Sequence, residues 1–421
     1  MNIYDNSYEE LKQNFDNLLN KDKSTYKNSN DEPTPIGCIE EMLNHIPQEA
    51  WTPDVKILDP CCGNGNFHLY ALNKLKSLGL SDKEIVDNNL FFNDINLARL
   101  QNVQQLYGDG ANITMMDFLR YPEDVKYDII YANPPYAKFT KDNKRASKNH
   151  TLVRDFMSKS LRLLKDGGYM VYIIPNNWMS LADRNIVIKE LTQYNFIHLD
   201  IHGAKKWFPK IGSSFTWLVM QKSKQAPTYQ VECTYRGNLY RSIVSSSTRS
   251  FIPLLWTSEV QSIFSKTIEK ENDKFLVETS SDLHKYTKRD MISADNDHVH
   301  KYRLIHTPKQ TVYASRPHKY QAGYKCFIST TDKYSTFVDN CGMTQSIAFI
   351  KAESEAQAEK YSKILNHDLY RFLNNLCRWG NFNNIRILQR FPIPSDENNI
   401  YSSFGISEKE IEFIQQVLEK Q

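Results

Sequence analysis

Long hydrophobic runs are missing from this 421-residue chain. The longest apolar stretch, Tyr169-Met-Val-Tyr-Ile-Ile174, is far too short to span a bilayer. The opening residues, Met1-Asn-Ile-Tyr-Asp-Asn, lack the basic and apolar regions of a signal peptide. No membrane partner and a cytoplasmic or nucleoid-associated location are therefore expected. C-x-x-C pairs are also missing. The cysteines are seven, an odd number (Cys38, Cys61, Cys62, Cys233, Cys326, Cys341 and Cys377), which favours neither a zinc ribbon nor a disulfide framework. His298-x-His300 has no obvious third or fourth ligand, so no metal site is expected. Solenoid repeats are absent. With 40% hydrophobic and 24% charged residues, the composition is that of a globular protein, not a disordered or fibrous one.

A strong charge of either sign is lacking too, since the net charge is only +3. Its distribution is more telling. Residues 221–421 carry 27 Lys and Arg against 22 Asp and Glu. Between His298 and Thr331 there is no acid, while Lys301, Arg303, Lys309, Arg316, Lys319 and Lys325 alternate with Tyr302, Tyr313, Tyr320 and Tyr324. Such a stretch suits a nucleic-acid surface, and equally a solvated face with counterions.

Residues 1–32 read as a polar arm with one short helix, Tyr8–Leu19. From 33 to about 225, strands and helices alternate. Strands are expected at 55–58, 90–94, 113–116, 127–132 and 169–174, with helices at 65–78, 95–107 and 152–164. This rhythm predicts an α/β fold with a doubly wound sheet, and ligands bind such sheets at the carboxyl ends of the strands. The rhythm is lost after residue 225, so a second domain is expected over 226–395, with a helix at 354–366. A terminal helix closes the chain within 396–421.

The first strand ends in Asp59-Pro60-Cys61-Cys62-Gly63-Asn64-Gly65-Asn66-Phe67. Gly63 and Gly65 let backbone approach a ligand closely. The third glycine of a dinucleotide fingerprint is replaced by His68, and no phosphate-binding Gly-Lys-Ser/Thr follows. Asp94, ending the second strand, can accept hydrogen bonds from ribose hydroxyls or cap the next helix. Asp117, after the third, can accept from an exocyclic amine or act as a cap. The fourth strand ends in Asn133-Pro134-Pro135-Tyr136. The prolines fix the backbone and remove two donors. The Asn133 side-chain oxygen and the Pro134 carbonyl can then each accept one N–H of an amino group, which localises the nitrogen lone pair. Tyr136 can stack on the base carrying that amine.

On these motifs the sequence resembles the gamma-class adenine-N6 DNA methyltransferases of type II restriction–modification systems. The resemblance implies a Rossmann-like class I methyltransferase sheet over 33–225 and a C-terminal α+β target-recognition domain over 226–395. The implied cofactor is S-adenosylmethionine, with S-adenosylhomocysteine as product. Asp59, Pro60, Cys61, Gly63, Gly65 and Phe67 correspond to the family's cofactor loop, and Asp94 with Ile95 to its ribose contact. Asp117 and Phe118 match the contact to the cofactor adenine, on which Phe156 packs. Thr34, in Thr34-Pro35, matches the upstream motif that touches the methionine end, and Asn133 also borders the cofactor. Asn133–Tyr136 matches the catalytic tetrapeptide. Phe208, in Trp207–Trp217, matches a residue that holds the flipped base opposite Tyr136. Lys138, Lys141, Lys144, Arg145 and Lys148 follow the tetrapeptide as a loop expected to meet phosphates; a solvated insertion is the alternative. The expected partner is double-stranded DNA, with room for a cognate restriction endonuclease. An RNA adenine or protein glutamine methyltransferase, or a non-catalytic DNA-binding module, remains the alternative. A nucleophilic role for the Pro60-Cys61 pair is rejected, because it lies in the cofactor loop and not after the fourth strand.

Overall fold

The computed structural model describes residues 2–18, 33–135, 151–183, 185–209, 214–331 and 333–419. The chain forms two units, Met1–Trp178 with Arg184–Phe251, and Met179–Asp183 with Ile252–Gln421.

The first unit is built on β1 (Ile57–Asp59), β2 (Leu90–Asp94), β3 (Asn112–Met115), β4 (Tyr127–Ala132), β5 (Leu164–Pro175), β6 (Tyr194–Ile201), β7 (Phe215–Lys224), β8 (Thr228–Tyr235) and β9 (Asn238–Ser245). They form one sheet in the order β3-β2-β1-β4-β5-β7-β6-β8-β9. Strands β3, β2, β1, β4 and β5 pair in parallel. Strand β7 is antiparallel to β5 and β6. Parallel strands covered on both faces read as continuous apolar runs, and Ile129–Ala132 and Tyr169–Pro175 are buried throughout. The connecting helices are α1 (Tyr8–Leu18), α2 (Ile36–Leu43), α3 (Asn66–Lys76), α4 (Asp82–Asn88), α5 (Leu97–Tyr107), α6 (Thr151–Leu163) and α7 (Val187–Leu191). Local chemistry sets their starts. Ser81 and Glu84 form a reciprocal capping box at α4, a device worth roughly 1 kcal/mol. Asn96 accepts from Ala98 N and Arg99 N at the start of α5.

Two expectations about domain limits need correction. Strands β8 and β9 extend the sheet beyond residue 225, because β8 pairs in parallel with β6 over His198–Ile201, and the units part only after Phe251. The described part of residues 1–32 is docked, not a free arm. Ile3, Leu11 and Phe15 are buried in the first unit's core, and the Tyr4 hydroxyl donates to the Tyr107 carbonyl at 2.8 Å.

The second unit is α+β. It holds one sheet in which β14 (Lys325–Ser329) lies between β15 (Thr336–Asp339) and β17 (Ile347–Lys351), with β10 (Glu278–Thr279) at the far edge of β17. A second sheet pairs β12 (Tyr302–Thr307) with β13 (Gln310–Ala314) and β16 (Gly342–Met343), and β11 (Ile292–Ser293) with β13. Among its helices are α8 (Ser258–Lys266), α9 (Glu355–Leu365), α10 (Asp368–Leu376) and, further on, a terminal helix, Glu408–Glu419. The expected helix at 354–366 is α9, with Ser354 as its cap. The terminal helix belongs to this unit, where Glu410 is paired with Lys266 of α8 at 2.7 Å.

Candidate active site

Strand order reverses between β1 and β4, which pair in parallel with Ile57 opposite Ile129. A doubly wound sheet opens a crevice at such a reversal, beyond the carboxyl ends of the strands. The loop after β1 and the Asn133-Pro134-Pro135 turn after β4 both leave the sheet there.

Polar bonds hold the first loop. Cys61 N donates to Asp59 Oδ1 at 3.2 Å. Gly63 N donates to Asp94 Oδ2 at 2.9 Å, and Asn96 N to Asp94 Oδ1 at 2.8 Å. Asp94 thus ties the loop to the end of β2, while capping of α5 falls to Asn96. Asn93 Nδ2 donates to the Pro60 and Met116 carbonyls at 2.8 and 3.1 Å, joining the ends of β1 and β3. Burial, opposed by the Cys61 N–H and aided by the negative charge of Asp94, pushes the Asp59 carboxyl well above the usual carboxylate range. Gly63 and Gly65 have φ of +54° and +85°. A β carbon on Gly63 would meet nothing within 4 Å, whereas one on Gly65 would lie 2.7 Å from Tyr107 Cε2. The Tyr107 hydroxyl donates to the Gly65 carbonyl at 2.7 Å.

Asn133 is held from two sides. Its Nδ2 donates to Thr34 Oγ1 at 3.1 Å. Its carbonyl accepts from the Cys61 thiol at 3.6 Å. Thr34 is in turn fixed by Asn66, whose Nδ2 donates to the Thr34 carbonyl at 3.1 Å. Thr34, Cys61, Asn66 and Asn133, spread over a hundred positions of sequence, therefore form one connected group.

Around this group, Ile95 and Met115 stand 73% and 58% exposed at the ends of β2 and β3. Exposed aliphatic side chains at a ligand edge suit the flat face of an aromatic ring. Asp117 is exposed, and its Oδ1 accepts from Leu119 N at 3.1 Å, so the capping alternative is realised. The Phe118 and Phe156 rings lie 5.0 Å apart and are buried.

Other expected residues are buried, ion-paired or outside the described residues. Phe208 is not an exposed clamp; it is 3% exposed, a member of the hydrophobic core, with its ring 5.1 Å from Phe215. Phe67 is likewise buried, stacked on Tyr131 at 5.2 Å beneath the loop. Tyr136, Lys138, Lys141, Lys144, Arg145 and Lys148 fall outside the described residues. In the second unit, Arg303 is paired with Asp339 and Arg316 with Asp282, at 2.7 and 2.8 Å. Lys325 is buried, its Nζ donating to the Ala322 and Gly323 carbonyls. Lys301, Lys309 and Lys319 are exposed.

The sequence reading missed Asn93, Asn66 and the His68–Tyr131 pair. The last is fully buried, with Tyr131 OH 2.5 Å from His68 Nδ1 and His68 Nε2 2.9 Å from the Phe91 carbonyl. The carbonyl can only accept, so Nε2 carries the proton. Burial drives the imidazole down to about 3 and keeps it neutral. The signal for Asn93 was available: an amide inside an apolar strand needs buried partners.

Among the described residues no helix is long and apolar enough to cross a membrane, and no group of three or more His, Cys, Asp or Glu could hold a metal ion.

Known proteins resemble this chain over part of its length. The model of the Eco57I restriction-modification methylase family matches residues 63–208. The chain is 25% identical to the Type II methyltransferase M.VspI of Vibrio sp. over 37% of its own length and 39% of that protein's. It is 29% identical to the Type II methyltransferase M.AccI of Acinetobacter calcoaceticus over 34% of its length and 28% of that protein's. The chain thus spans less than half of each of these relatives. Among solved structures, the ATP-dependent Type ISP restriction-modification enzyme LlaBIII bound to DNA matches 94% of this chain and 40% of its own, at a TM-score of 0.54 and 12% identity. The DrdV–DNA complex matches 97% of this chain and 59% of its own, at 0.53 and 11%. At these identities the likeness is one of fold.

Proposed function

We propose that the chain is a site-specific DNA methyltransferase that transfers a methyl group from S-adenosylmethionine to N6 of an adenine flipped out of duplex DNA. The observation that carries this reading is Asn133-Pro134-Pro135 at the end of β4, at the strand-order reversal, bonded through Thr34 and Cys61 to the loop after β1. The match to the restriction-modification methylase family over residues 63–208, which include Asn133-Pro134-Pro135, supports it.

The residues present fit the cofactor. Gly63 leaves the loop wall without a side chain. Asp94 uses each oxygen once for a backbone N–H, and a carboxylate offers about four lone-pair sites, so ribose hydroxyls can still be accepted. Ile95 and Met115 offer apolar faces to the adenine ring, with Asp117 beside them. When bound, S-adenosylmethionine supplies a methyl group on a positively charged sulfur.

The chain's own residues prepare the acceptor. The Asn133 Oδ1 and the Pro134 carbonyl each accept one N–H of the target amine. That grip draws the nitrogen from planar toward tetrahedral and localises its lone pair. Tyr136 stacks on the base, a contact worth about 1–3 kcal/mol. Both gripping groups are neutral acceptors, so the work is positioning and polarisation, not proton removal beforehand. DNA is gripped by exposed cations of the second unit, Lys301, Lys309 and Lys319 among them, and by the basic segment after Tyr136.

The test is expression in a bacterium lacking DNA methylation, followed by modification-sensitive long-read sequencing. Methylated adenine at one recurring short motif is expected, and Asn133→Ala should abolish it while sparing cofactor binding. An unmodified genome from soluble, cofactor-binding protein would move the acceptor to RNA or protein. Near-normal methylation by Asn133→Ala would remove the assigned chemistry.

A further inference from the structure

We propose that Thr34 is a positioning residue that holds the Asn133 carboxamide with its oxygen end toward the acceptor amine; this rests on the methyltransferase reading above. The family resemblance assigns Thr34 to the cofactor. The geometry gives its hydroxyl a different task.

An asparagine amide has two ends of nearly equal size and opposite polarity, so shape alone does not orient it. The proposed reaction needs the acceptor end, because the target amine brings two N–H donors. In this structure the donor end is engaged: Asn133 Nδ2 donates to Thr34 Oγ1 at 3.1 Å. Oδ1 then lies at the opposite end of the planar group. Donation from Nδ2 also polarises the amide and makes Oδ1 a better acceptor.

The anchor is itself rigid. Thr34 is 3% exposed. Its carbonyl is fixed by Asn66 at the first turn of α3. Pro35 follows and restricts the backbone, and the next N–H, of Ile36, donates to Asp16 Oδ1 at 3.3 Å. The backbone of Asn133 is pinned separately, by the Cys61 thiol and the following proline. The Asn133 side chain has rotatable bonds of its own, and Thr34 Oγ1 takes its donor end. Valine has the same shape as threonine without the hydroxyl; serine keeps the hydroxyl.

The experiment is single-turnover methyl transfer to duplex DNA, at saturating S-adenosylmethionine, by the full chain and its Thr34→Val and Thr34→Ser forms, with cofactor and DNA affinities measured alongside. Displacements of order 1 Å in a positioned group cost up to about 100-fold in rate. Thr34→Val is expected to slow transfer about 10-fold or more with both affinities within about twofold of wild type, and Thr34→Ser to restore most of the rate. An unchanged rate in Thr34→Val overturns the proposal. So does a cofactor affinity weakened about tenfold or more, which would make Thr34 a cofactor contact. If the wild-type chain methylates no DNA, the functional reading fails instead, and a second measurement still tests the geometry. The Asn133 side-chain amide signal of asparagine-labelled protein, identified by its loss in Asn133→Ala, should shift and exchange faster in Thr34→Val; an unmoved signal overturns the positioning role.

Discussion

Gly63 and Gly65 sit two residues apart in one loop, both in the left-handed region, yet alanine at each should fail differently. A β carbon in that region costs roughly 1–2 kcal/mol for most residues. At Gly65 it would also meet Tyr107 Cε2 at 2.7 Å and Phe92 Cε1 at 3.5 Å. Both rings are buried, and Tyr107 is tethered to the Gly65 carbonyl, so the ring cannot swing aside without breaking that bond. Overpacking of this kind adds about 1–3 kcal/mol. Gly65→Ala should therefore destabilise the unit by about 2–5 kcal/mol, lowering Tm by roughly 4–20 °C at the 2–4 °C per kcal/mol of a domain this large. At Gly63 the new methyl points into open space, so only the backbone cost remains and Tm should fall by roughly 2–8 °C. That open space is where the cofactor is proposed to lie. Gly63→Ala should weaken S-adenosylmethionine binding about tenfold or more, equivalent to about 1.4 kcal/mol. Thermal unfolding and titration calorimetry on both variants decide the matter. Wild-type cofactor affinity in a folded Gly63→Ala would refute the loop as the cofactor wall. A Gly65→Ala protein as stable as Gly63→Ala would refute the packing argument.

Two further expectations concern charge. Asp200, at the end of β6, is buried and accepts from Ala204 N at 3.2 Å; burial, with the charges of Glu41 and Glu232, raises it to about 7. An unfolded aspartate titrates near about 3.9, so the folded state holds the proton more tightly, and stabilisation present below about pH 4 is lost as pH rises to about 7, by up to roughly 4 kcal/mol. Asp200→Asn should flatten the fall in urea midpoint between pH 5 and pH 8; an unchanged slope would show that the carboxyl titrates normally. In the second unit, Lys319→Ala should weaken DNA binding and reduce its salt dependence by about one charge with stability unchanged. Lys325→Ala should instead lower the unfolding midpoint, since it strips donors from the Ala322 and Gly323 carbonyls. Identical effects of the two on salt dependence would refute the distinction drawn from burial.

The parallel part of the sheet was legible because its strands are short apolar runs bounded by turn residues, and β2 and β4 have the limits that the pattern indicated. The antiparallel additions were not. Strand β8 alternates buried residues with more exposed ones and β9 mostly half-buried with exposed ones, which reads locally as any hairpin, and pairing of β8 with β6 shows that they continue the first unit. At the site, Asp59, Gly63, Asp94 and Asn133 were legible from position, since each follows a strand of the parallel core. The bonds between them were not. Nothing in the sequence near Asn133 points to Thr34, 99 residues away. Phe208 and Phe67 show a further ambiguity: an aromatic beside a motif can serve the motif or the core, and both pack inward.

The acid-free stretch from His298 to Thr331 shows how composition overstates a charged surface. Along the sequence its six cations have no counter-charge. In space, the nearest acids come from outside the stretch: Asp282 reaches Arg316 from 34 positions away and Asp339 reaches Arg303 from 36. Lys325 is spent inside the fold on backbone carbonyls. The exposed lysines of the stretch are Lys301, Lys309 and Lys319, with Lys319 over Tyr320 at 4.7 Å and Lys351 of β17 over the same ring at 4.4 Å. A polyanion binding this face would displace counterions from these lysines, not from the six cations of the sequence. The two arginines already have bidentate carboxylate partners and could contact phosphate only by giving those up. On the proposed reading DNA is met by the exposed lysines, of which Lys301 and Lys319 lie over the rings of Tyr302 and Tyr320 at 5.7 and 4.7 Å.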